Sequence, residues 1–194
     1  MRADPILGAI IKQKGASGLA ERGAEPTFMS LLRALVSQQL SVKAAATIFS
    51  RVLALFPEDE GCPRPEAILQ VPLETLRAAG LSRQKASYLH DLSARVVAGT
   101  LRLDELDALS DEDVMTALTA VKGVGRWTAE MILIFQLRRP DLLPVDDVGI
   151  LRSIQNVYGL RGRPTEKQVL RMGERWRPYR SIASWYLWAA LDNE

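Results

Sequence analysis

An acidic pair, Asp146 and Asp147, follows Pro144 and precedes an apolar helical pattern that runs to about Tyr158. The free N–H groups at a helix N-terminus favour carboxylates, so the ordinary interpretation of either residue is an N-cap. One carboxylate in such a place can also do chemistry. It can stabilise a positive charge that develops during a reaction, or it can activate a water. The pair alone leaves a cap and both catalytic roles open.

About twenty residues upstream, the segment 121–125, VKGVG, separates two predicted helices. Its two glycines, Gly123 and Gly125, permit a tight turn with backbone angles that other residues avoid. Because the next helix begins at once, its free N–H groups point out of the turn, where a phosphate can approach the bare backbone closely. The segment predicts a phosphate-binding turn, with a plain helix-helix turn as the alternative. The absence of a preceding predicted strand excludes a dinucleotide-binding loop.

All the tryptophans lie after residue 126, and they are Trp127, Trp176, Trp185 and Trp188. Tryptophans at helical spacing usually fill a core. An electron-rich indole face also attracts a cation, by about 0.5–2 kcal/mol. The cluster is therefore either core or part of a site for a positively charged ligand, and we expect Trp185 to belong to the core.

Three stretches together resemble the DNA glycosylase superfamily with a helix-hairpin-helix motif. Residues 118–129, LTAVKGVGRWTA, are similar to its hairpin, in which Leu-Pro-Gly-(Val/Ile)-Gly precedes a helix starting x-x-Thr-Ala. Lys122 replaces the usual proline, which we expect to loosen the turn slightly. The family carries its catalytic aspartate in a Pro-x-Asp pattern at this distance, and the motif assigns that role to Asp147. Residues 174–181, ERWRPYRS, followed by Trp188, resemble the C-terminal signature of the alkylation-repair branch.

The resemblance covers about residues 26 to 190 and implies further site residues. The base pocket would contain Trp127, Trp188, Met131 and Trp176, with Met131 standing where the best-known members carry a tyrosine. The DNA-binding residues would be Lys122, Gly123, Val124, Gly125, Arg126 and Thr128. The carbonyls of Val121 and Val124 would hold a monovalent Na⁺ or K⁺ ion between hairpin and phosphate.

Flipping a base leaves a gap in the duplex that glycosylases fill with an inserted side chain. The segment 37–41, SQQLS, joins two strong helical patterns and resembles the family segment that carries this wedge. The wedge maps to Gln39 or Leu40. The alternative is an ordinary helix-helix corner with Leu40 in the core.

The resemblance implies a compact 3-methyladenine DNA glycosylase II, without the extra N-terminal domain of its best-known members. Such an enzyme flips an alkylated base out of double-stranded DNA and hydrolyses its glycosidic bond in base excision repair. Family enzymes that also cut the strand carry a lysine where this chain has Trp127, so we expect no lyase activity. The alternatives are a glycosylase for uracil, hypoxanthine or etheno bases, and a non-catalytic helix-hairpin-helix module that only binds DNA.

Composition limits these classes further. The chain has 194 residues, a net charge of +2 and 47% hydrophobic residues, which is typical of a globular protein. No apolar run reaches the length of a membrane span, and we expect no signal peptide. One cysteine, Cys62, and one histidine, His90, exclude an internal disulfide and an iron–sulfur cluster, and they argue against zinc. We therefore expect a cytoplasmic monomer with no required cofactor, associated with the nucleoid if bacterial.

The stretch 161–180 is rich in basic residues, and on charge alone a solvated helix face is the ordinary interpretation.

Helical periodicity runs through nearly the whole chain and predicts nine or ten helices without a convincing strand. One of these helices is expected to begin after Ser41, with Val42 on its apolar stripe, and another after Ser82. A helix that starts at Pro164 and Thr165 is expected to end near Trp176.

The fold class is all-α. We expect one helical lobe over residues 28–138, bearing the hairpin, and a second lobe from residues 1–27 and 139–194. By the resemblance, an active-site cleft lies between the lobes with Asp147 at its mouth.

Overall fold

The structure is a computed structural model that describes residues 4–19, 25–59 and 61–191. These residues form eleven α-helices and no strand, which confirms the predicted all-α class. In chain order the helices are α1 (Pro5–Lys14), α2 (Thr27–Ser37), α3 (Val42–Leu53), α4 (Pro65–Gln70), α5 (Leu73–Ala78), α6 (Arg83–Val97), α7 (Asp111–Thr119), α8 (Arg126–Phe135), α9 (Val148–Val157), α10 (Glu166–Gly173) and α11 (Arg180–Leu191). Single turns of 3-10 helix occur at Pro57–Asp59, Leu106–Ala108 and Glu174–Trp176. No described helix has the length and apolar character of a membrane span.

The chain divides into two compact units. The described residues within 24–132 form one, which we call the hairpin unit, and the described residues within 1–23 and 133–194 form the other, which we call the aspartate unit. The division falls inside α8, six residues before the lobe boundary predicted at residue 138.

The hairpin unit is built around the apolar stripe of α2. Leu31, Leu32 and Leu35 follow the i, i+3, i+4 pattern of a helix face, and all three are buried. Helix α6 packs against α2, α4 and α5. Serines cap three helices of this unit: Ser41 accepts the Ala44 N–H at the start of α3, and Ser82 and Ser110 accept the corresponding N–H groups of α6 and α7. Local sequence therefore sets where these helices begin.

The core of the aspartate unit lies where α1 and α9 pack against α11. Ile150 and Ile154 of α9 and Leu187 of α11 are fully buried in it. Asp4 caps α1 by accepting the Ile6 and Leu7 N–H groups. Its second oxygen accepts the hydroxyl of Tyr158 at 2.6 Å, so the cap also ties α1 to the end of α9.

Three details differ from the sequence-based expectations. Helix α1 was not predicted, because tertiary contacts of Asp4 and α11 support it more than its short apolar patch does. Val42 was assigned to the apolar stripe of α3, but it is 89% exposed. The helix expected to end near Trp176 stops at Gly173, and a 3-10 turn completes it.

Candidate active site

Asp147 is the N-cap of α9, as its position before an apolar helical pattern predicted. Its carboxyl Oδ1 accepts the backbone N–H of Ile150 at 2.8 Å. The residue is only 8% exposed, whereas its neighbour Asp146 is exposed. The structure thus distinguishes the two acids, since only Asp147 is a buried and oriented carboxylate.

The side chain of Trp188, on α11, lies beside this carboxylate. Its indole Nε1–H donates to Asp147 Oδ1 at 2.8 Å. The ring of Phe135 packs against the same indole, with ring centroids 5.6 Å apart and planes tilted by 32°. The structure therefore brings together two residues that the sequence analysis singled out separately, and it adds Phe135, for which the sequence offered no signal.

Gly149 makes this close approach possible. A Cβ at Gly149 would lie 3.0 Å from Trp188 Cδ1 and 3.1 Å from Asp147 Oδ1. Such separations are below ordinary van der Waals contact, so any larger residue displaces the indole or the carboxylate. The backbone conformation of Gly149 does not demand glycine, and the reason for glycine here is the space that the pair occupies.

The loop before Asp147 is held by two residues at the start of α11. The Arg180 guanidinium donates to Asp141 Oδ1 at 2.7 Å and to the Asp141 carbonyl at 2.7 Å. The Ser181 hydroxyl donates to the Arg139 carbonyl at 2.6 Å and accepts the Leu142 N–H at 3.0 Å. These bonds fix the chain that leads to Asp147.

The negative charge of Asp141 in this loop is neutralised by neighbouring arginines, in addition to being hydrogen-bonded. Burial opposes ionisation of the Asp141 carboxyl, but hydrogen bonds from Arg180 and the charges of Arg180 and Arg177 outweigh it. The pKa of Asp141 therefore lies below its ordinary value. The loop remains clamped at neutral pH.

In the hairpin unit, the predicted turn joins α7 to α8. The Val124 N–H donates to the Val121 carbonyl at 3.0 Å and closes the turn. Gly123 has a φ of +85°, and a Cβ there would overlap the ring of Tyr88. A Cβ at Gly125 would meet nothing within 4 Å. Gly123 is thus required by the fold, while Gly125 leaves open surface at the start of α8.

The predicted DNA-binding side chains differ in exposure. Lys122 and Arg126 are exposed, and Arg126 Nε lies 3.0 Å from Glu130 Oε1. Val124 and Thr128 are buried, so neither side chain is presented at the surface.

Of the pocket residues predicted on α8, Trp127 is 50% exposed and Met131 is partly buried. Trp127 is therefore the more exposed of the two.

The structure gives Trp176 a different place from the one predicted. Trp176 is 5% exposed, belongs to the core of the aspartate unit, and donates its indole N–H to Asp4 Oδ2 at 2.9 Å. We therefore assign Trp176 to the core instead of the base pocket. Trp185 packs against the same core, with its ring edge-on to Tyr186.

The corner predicted to carry the wedge lies between α2 and α3. Gln39 is exposed and has a φ of +57°, a left-handed conformation that non-glycine residues rarely adopt. Leu40 is 37% exposed, which excludes the alternative that placed it in the core. Both residues are therefore accessible for insertion.

Hydrogen bonds at this corner and at the hairpin add three residues that sequence reasoning missed: Gln38, Lys85 and Asp91. Gln38 reaches Gly123 across 85 positions of sequence, and no local pattern signals a pairing of that separation.

Comparison with known proteins defines the class. Residues 32–178 match the HhH-GPD superfamily of base excision DNA repair proteins, and the chain belongs to this family. The family resemblance found in the sequence is confirmed.

The names of individual relatives are more specific than the name of the superfamily. The chain is 38% identical over 162 residues to DNA-3-methyladenine glycosylase 1 of Schizosaccharomyces pombe, covering 83% of this chain and 71% of that protein. It is 36% identical over 169 residues to a putative DNA-3-methyladenine glycosylase of Bacillus subtilis, covering 85% of this chain and 59% of that protein. A solved structure of the S. pombe 3-methyladenine DNA glycosylase in complex with abasic DNA superposes with a TM-score of 0.82 at 33% identity, over 99% of this chain and 97% of that one.

Proposed function

We propose that this protein is a monofunctional DNA glycosylase, of the 3-methyladenine DNA glycosylase II kind, that excises alkylated bases from double-stranded DNA in base excision repair. The observation that carries the proposal is the buried Asp147 carboxylate held by the indole N–H of Trp188 at 2.8 Å. The names of the relatives support an alkylated-base substrate, because they are DNA-3-methyladenine glycosylases.

The chemistry needs one carboxylate. In the reaction the bond between sugar C1′ and the base nitrogen breaks, and its electron pair leaves with the base. An N3- or N7-alkylated purine carries a positive charge, so that electron pair neutralises it and no proton donor is required. Water adds to C1′ and loses a proton, which leaves an abasic site. Asp147 stabilises the oxocarbenium-like charge at C1′ or accepts the proton of the water.

Aromatic rings would select the damaged base over normal bases. Trp127, half exposed on α8, and Trp188 are the aromatic residues that we propose contact the flipped base. A cation over an indole face gains about 0.5–2 kcal/mol, which favours charged alkylated bases over normal ones. Met131 adds a polarizable, flexible thioether where, by the family resemblance, the best-known members carry a tyrosine, so we expect a looser or differently selective pocket.

DNA would bind at the hairpin through backbone N–H groups, supplemented by the exposed side chains of Lys122 and Arg126. The carbonyls of Val121 and Val124 would hold a Na⁺ or K⁺ ion there. They fit such an ion chemically, since hard cations prefer oxygen ligands. The Val121 carbonyl accepts the Val124 N–H but has a second lone pair for a ligand bond. The ion would add positive charge next to the phosphate.

Monofunctionality rests on Trp127. It stands where strand-cutting members of the superfamily carry a lysine nucleophile, and an indole cannot form the Schiff base that strand cleavage requires. The product is therefore an abasic site in an intact strand.

The proposal is tested with a panel of duplexes, each bearing one lesion. The panel contains 3-methyladenine, 7-methylguanine, uracil, hypoxanthine and ethenoadenine, and products are resolved with and without alkali. We expect the two methylated bases to be released and the strand to break only after alkali. If only uracil, hypoxanthine or ethenoadenine is released, the substrate is that lesion and not an alkylated base of the methylated kind. Salt-sensitive DNA binding without release of any base would overturn the proposed glycosylase activity. The protein would then be a non-catalytic DNA-binding module.

A further inference from the structure

Helix α6 presents one row of side chains, Lys85, Tyr88 and Asp91, at i, i+3 and i+6. Each member of this row contacts either the corner that carries Gln39 or the hairpin around Gly123. The family resemblance assigns none of these three residues a role in the reaction.

Lys85 holds the corner. Its ammonium donates to the carbonyls of Val36 and Gln38, at 2.7 and 2.5 Å. These carbonyls end α2, where a helix has unpaired acceptors and a partial negative charge that a cation stabilises. Lys85 thereby fixes the residue immediately before Gln39.

Asp91 holds the hairpin. Its Oδ2 accepts the backbone N–H of Lys122 at 3.0 Å and the Arg95 guanidinium at 2.8 Å. This N–H is one that a proline at position 122 would lack, so the expected loosening of the turn is countered by a hydrogen bond. Burial opposes the charged form of Asp91, but hydrogen bonds from Lys122 and Arg95 and their charges keep its pKa below the ordinary value.

Tyr88 lies between these two contacts. Its ring packs where a Cβ of Gly123 would be, and its hydroxyl accepts a hydrogen bond from Gln84. The row on α6 therefore contacts the corner at one end and the hairpin at the other.

A direct bond closes this arrangement. The side-chain amide of Gln38 donates to the Gly123 carbonyl at 2.8 Å. Gln38 precedes the left-handed Gln39, and Gly123 is the left-handed residue of the hairpin. The corner and the hairpin therefore form one hydrogen-bonded assembly.

We infer that Gln38, Lys85 and Asp91 are positioning residues that hold the inserting corner at a fixed distance from the phosphate-binding hairpin. This inference rests on the proposed function, since it requires a base to be flipped. The enzyme must grip the phosphate and fill the vacated space in one geometry, and a displacement of about 1 Å in such a geometry costs about a hundredfold in rate. These side chains satisfy hydrogen bonds within the protein, so they act through Gln39 or Leu40 instead of touching the base.

A double-mutant cycle tests the inference. Single-turnover excision from a methylated duplex is measured for Gln38→Leu alone and in the backgrounds Gln39→Ala and Leu40→Ala. Gln38→Leu leaves the Gly123 carbonyl without its donor, and we expect a loss of about tenfold in the otherwise native chain. In the background that lacks the true wedge we expect no further loss, because there is nothing left to position.

Controls separate positioning from folding. Gln38→Glu has the same size without the amide donor, and it should reproduce the coupling. Gln70→Leu, at the exposed end of α4, should leave the rate unchanged. Thermal unfolding of each variant shows whether the fold persists.

Two outcomes are distinct. If the native chain excises base but Gln38→Leu and Gln38→Glu lose the same factor in every background, the inference is overturned and the proposed function stands. If the native chain releases no base from any lesion, the proposed function fails, and the inference fails with it.

Discussion

Trp188 Nε1–H and the Ile150 N–H donate to the same oxygen of Asp147, Oδ1, each at 2.8 Å. One donor belongs to the first turn of α9 and the other to α11. The N-cap interpretation and the catalytic interpretation of Asp147 are therefore compatible, because the cap bond orients the carboxylate and the indole bond places an aromatic ring beside it.

Removal of the indole N–H tests this pair. Trp188→Phe keeps an apolar ring but loses the donor to Asp147, and we expect single-turnover excision to fall about fivefold to tenfold. Trp185→Phe is the matched control, since it makes the same change in the same helix and should have little effect. Equal losses in both variants would contradict a positioning role for Trp188.

The space at Gly149 provides a second test. The Cβ of Gly149→Ala would press on Trp188 and on Asp147, at 3.0 and 3.1 Å, so we expect excision to fall at least tenfold, while melting temperature drops only modestly. The control is Gly162→Ala, because a Cβ there meets nothing within 4 Å. An unchanged excision rate for Gly149→Ala would contradict the requirement for a fixed contact between Asp147 and Trp188.

Selectivity depends on Trp127. Trp127→Ala removes a half-exposed indole, and we expect release of cationic 7-methylguanine to fall about tenfold more than release of neutral hypoxanthine. The ratio of the two single-turnover rates is the readout, with the native chain as reference. If hypoxanthine is not a substrate, another neutral lesion that the panel shows to be released takes its place. Equal losses for both bases would contradict cation–π selection.

Asp4 predicts a pH dependence of stability. Burial opposes its ionisation, but hydrogen bonds from Tyr158, Trp176 and the Leu7 N–H, with the charge of Arg175, lower its pKa. A lowered folded-state pKa contributes stability above the unfolded value of about 3.9, and this contribution is lost as pH falls through the folded value.

Asp4→Asn should therefore reduce the free energy of unfolding at pH 7 by about 2 kcal/mol, and the difference from the native chain should narrow below pH 4. Urea unfolding at pH 7, 5 and 3 measures it. A difference that stays constant over this range would show that the charge of Asp4 contributes nothing.

The features that could be predicted from the sequence are those set by neighbouring residues, such as helix starts and tight turns. Ser41 and Ser82 are caps because a hydroxyl before an apolar helix has N–H groups within reach, and Asp147 follows the same rule. Gly123 was predicted to turn the chain, and its positive φ agrees. The type and order of the helices follow from such signals.

Long-range contacts account for what the sequence could not predict. The bond from Gln38 to Gly123 depends on tertiary packing, as does the support of α1 by Asp4 and Trp176. Val42 fits the apolar period of α3, but it is exposed at the corner between α2 and α3. Periodicity shows which residues share a helix face, but it does not show where the neighbouring helix ends and stops covering that face.

The most direct measurement is the rate at which Asp147→Asn releases 3-methyladenine from methylated duplex DNA in a single turnover. Asparagine keeps an oxygen that can accept the N–H groups of Ile150 and Trp188, so the fold and the pair should persist, as thermal unfolding can verify. Loss of the negative charge alone should slow release at least about a hundredfold. Release by Asp147→Asn at the rate of the native chain would contradict the assignment of the chemistry to this carboxylate.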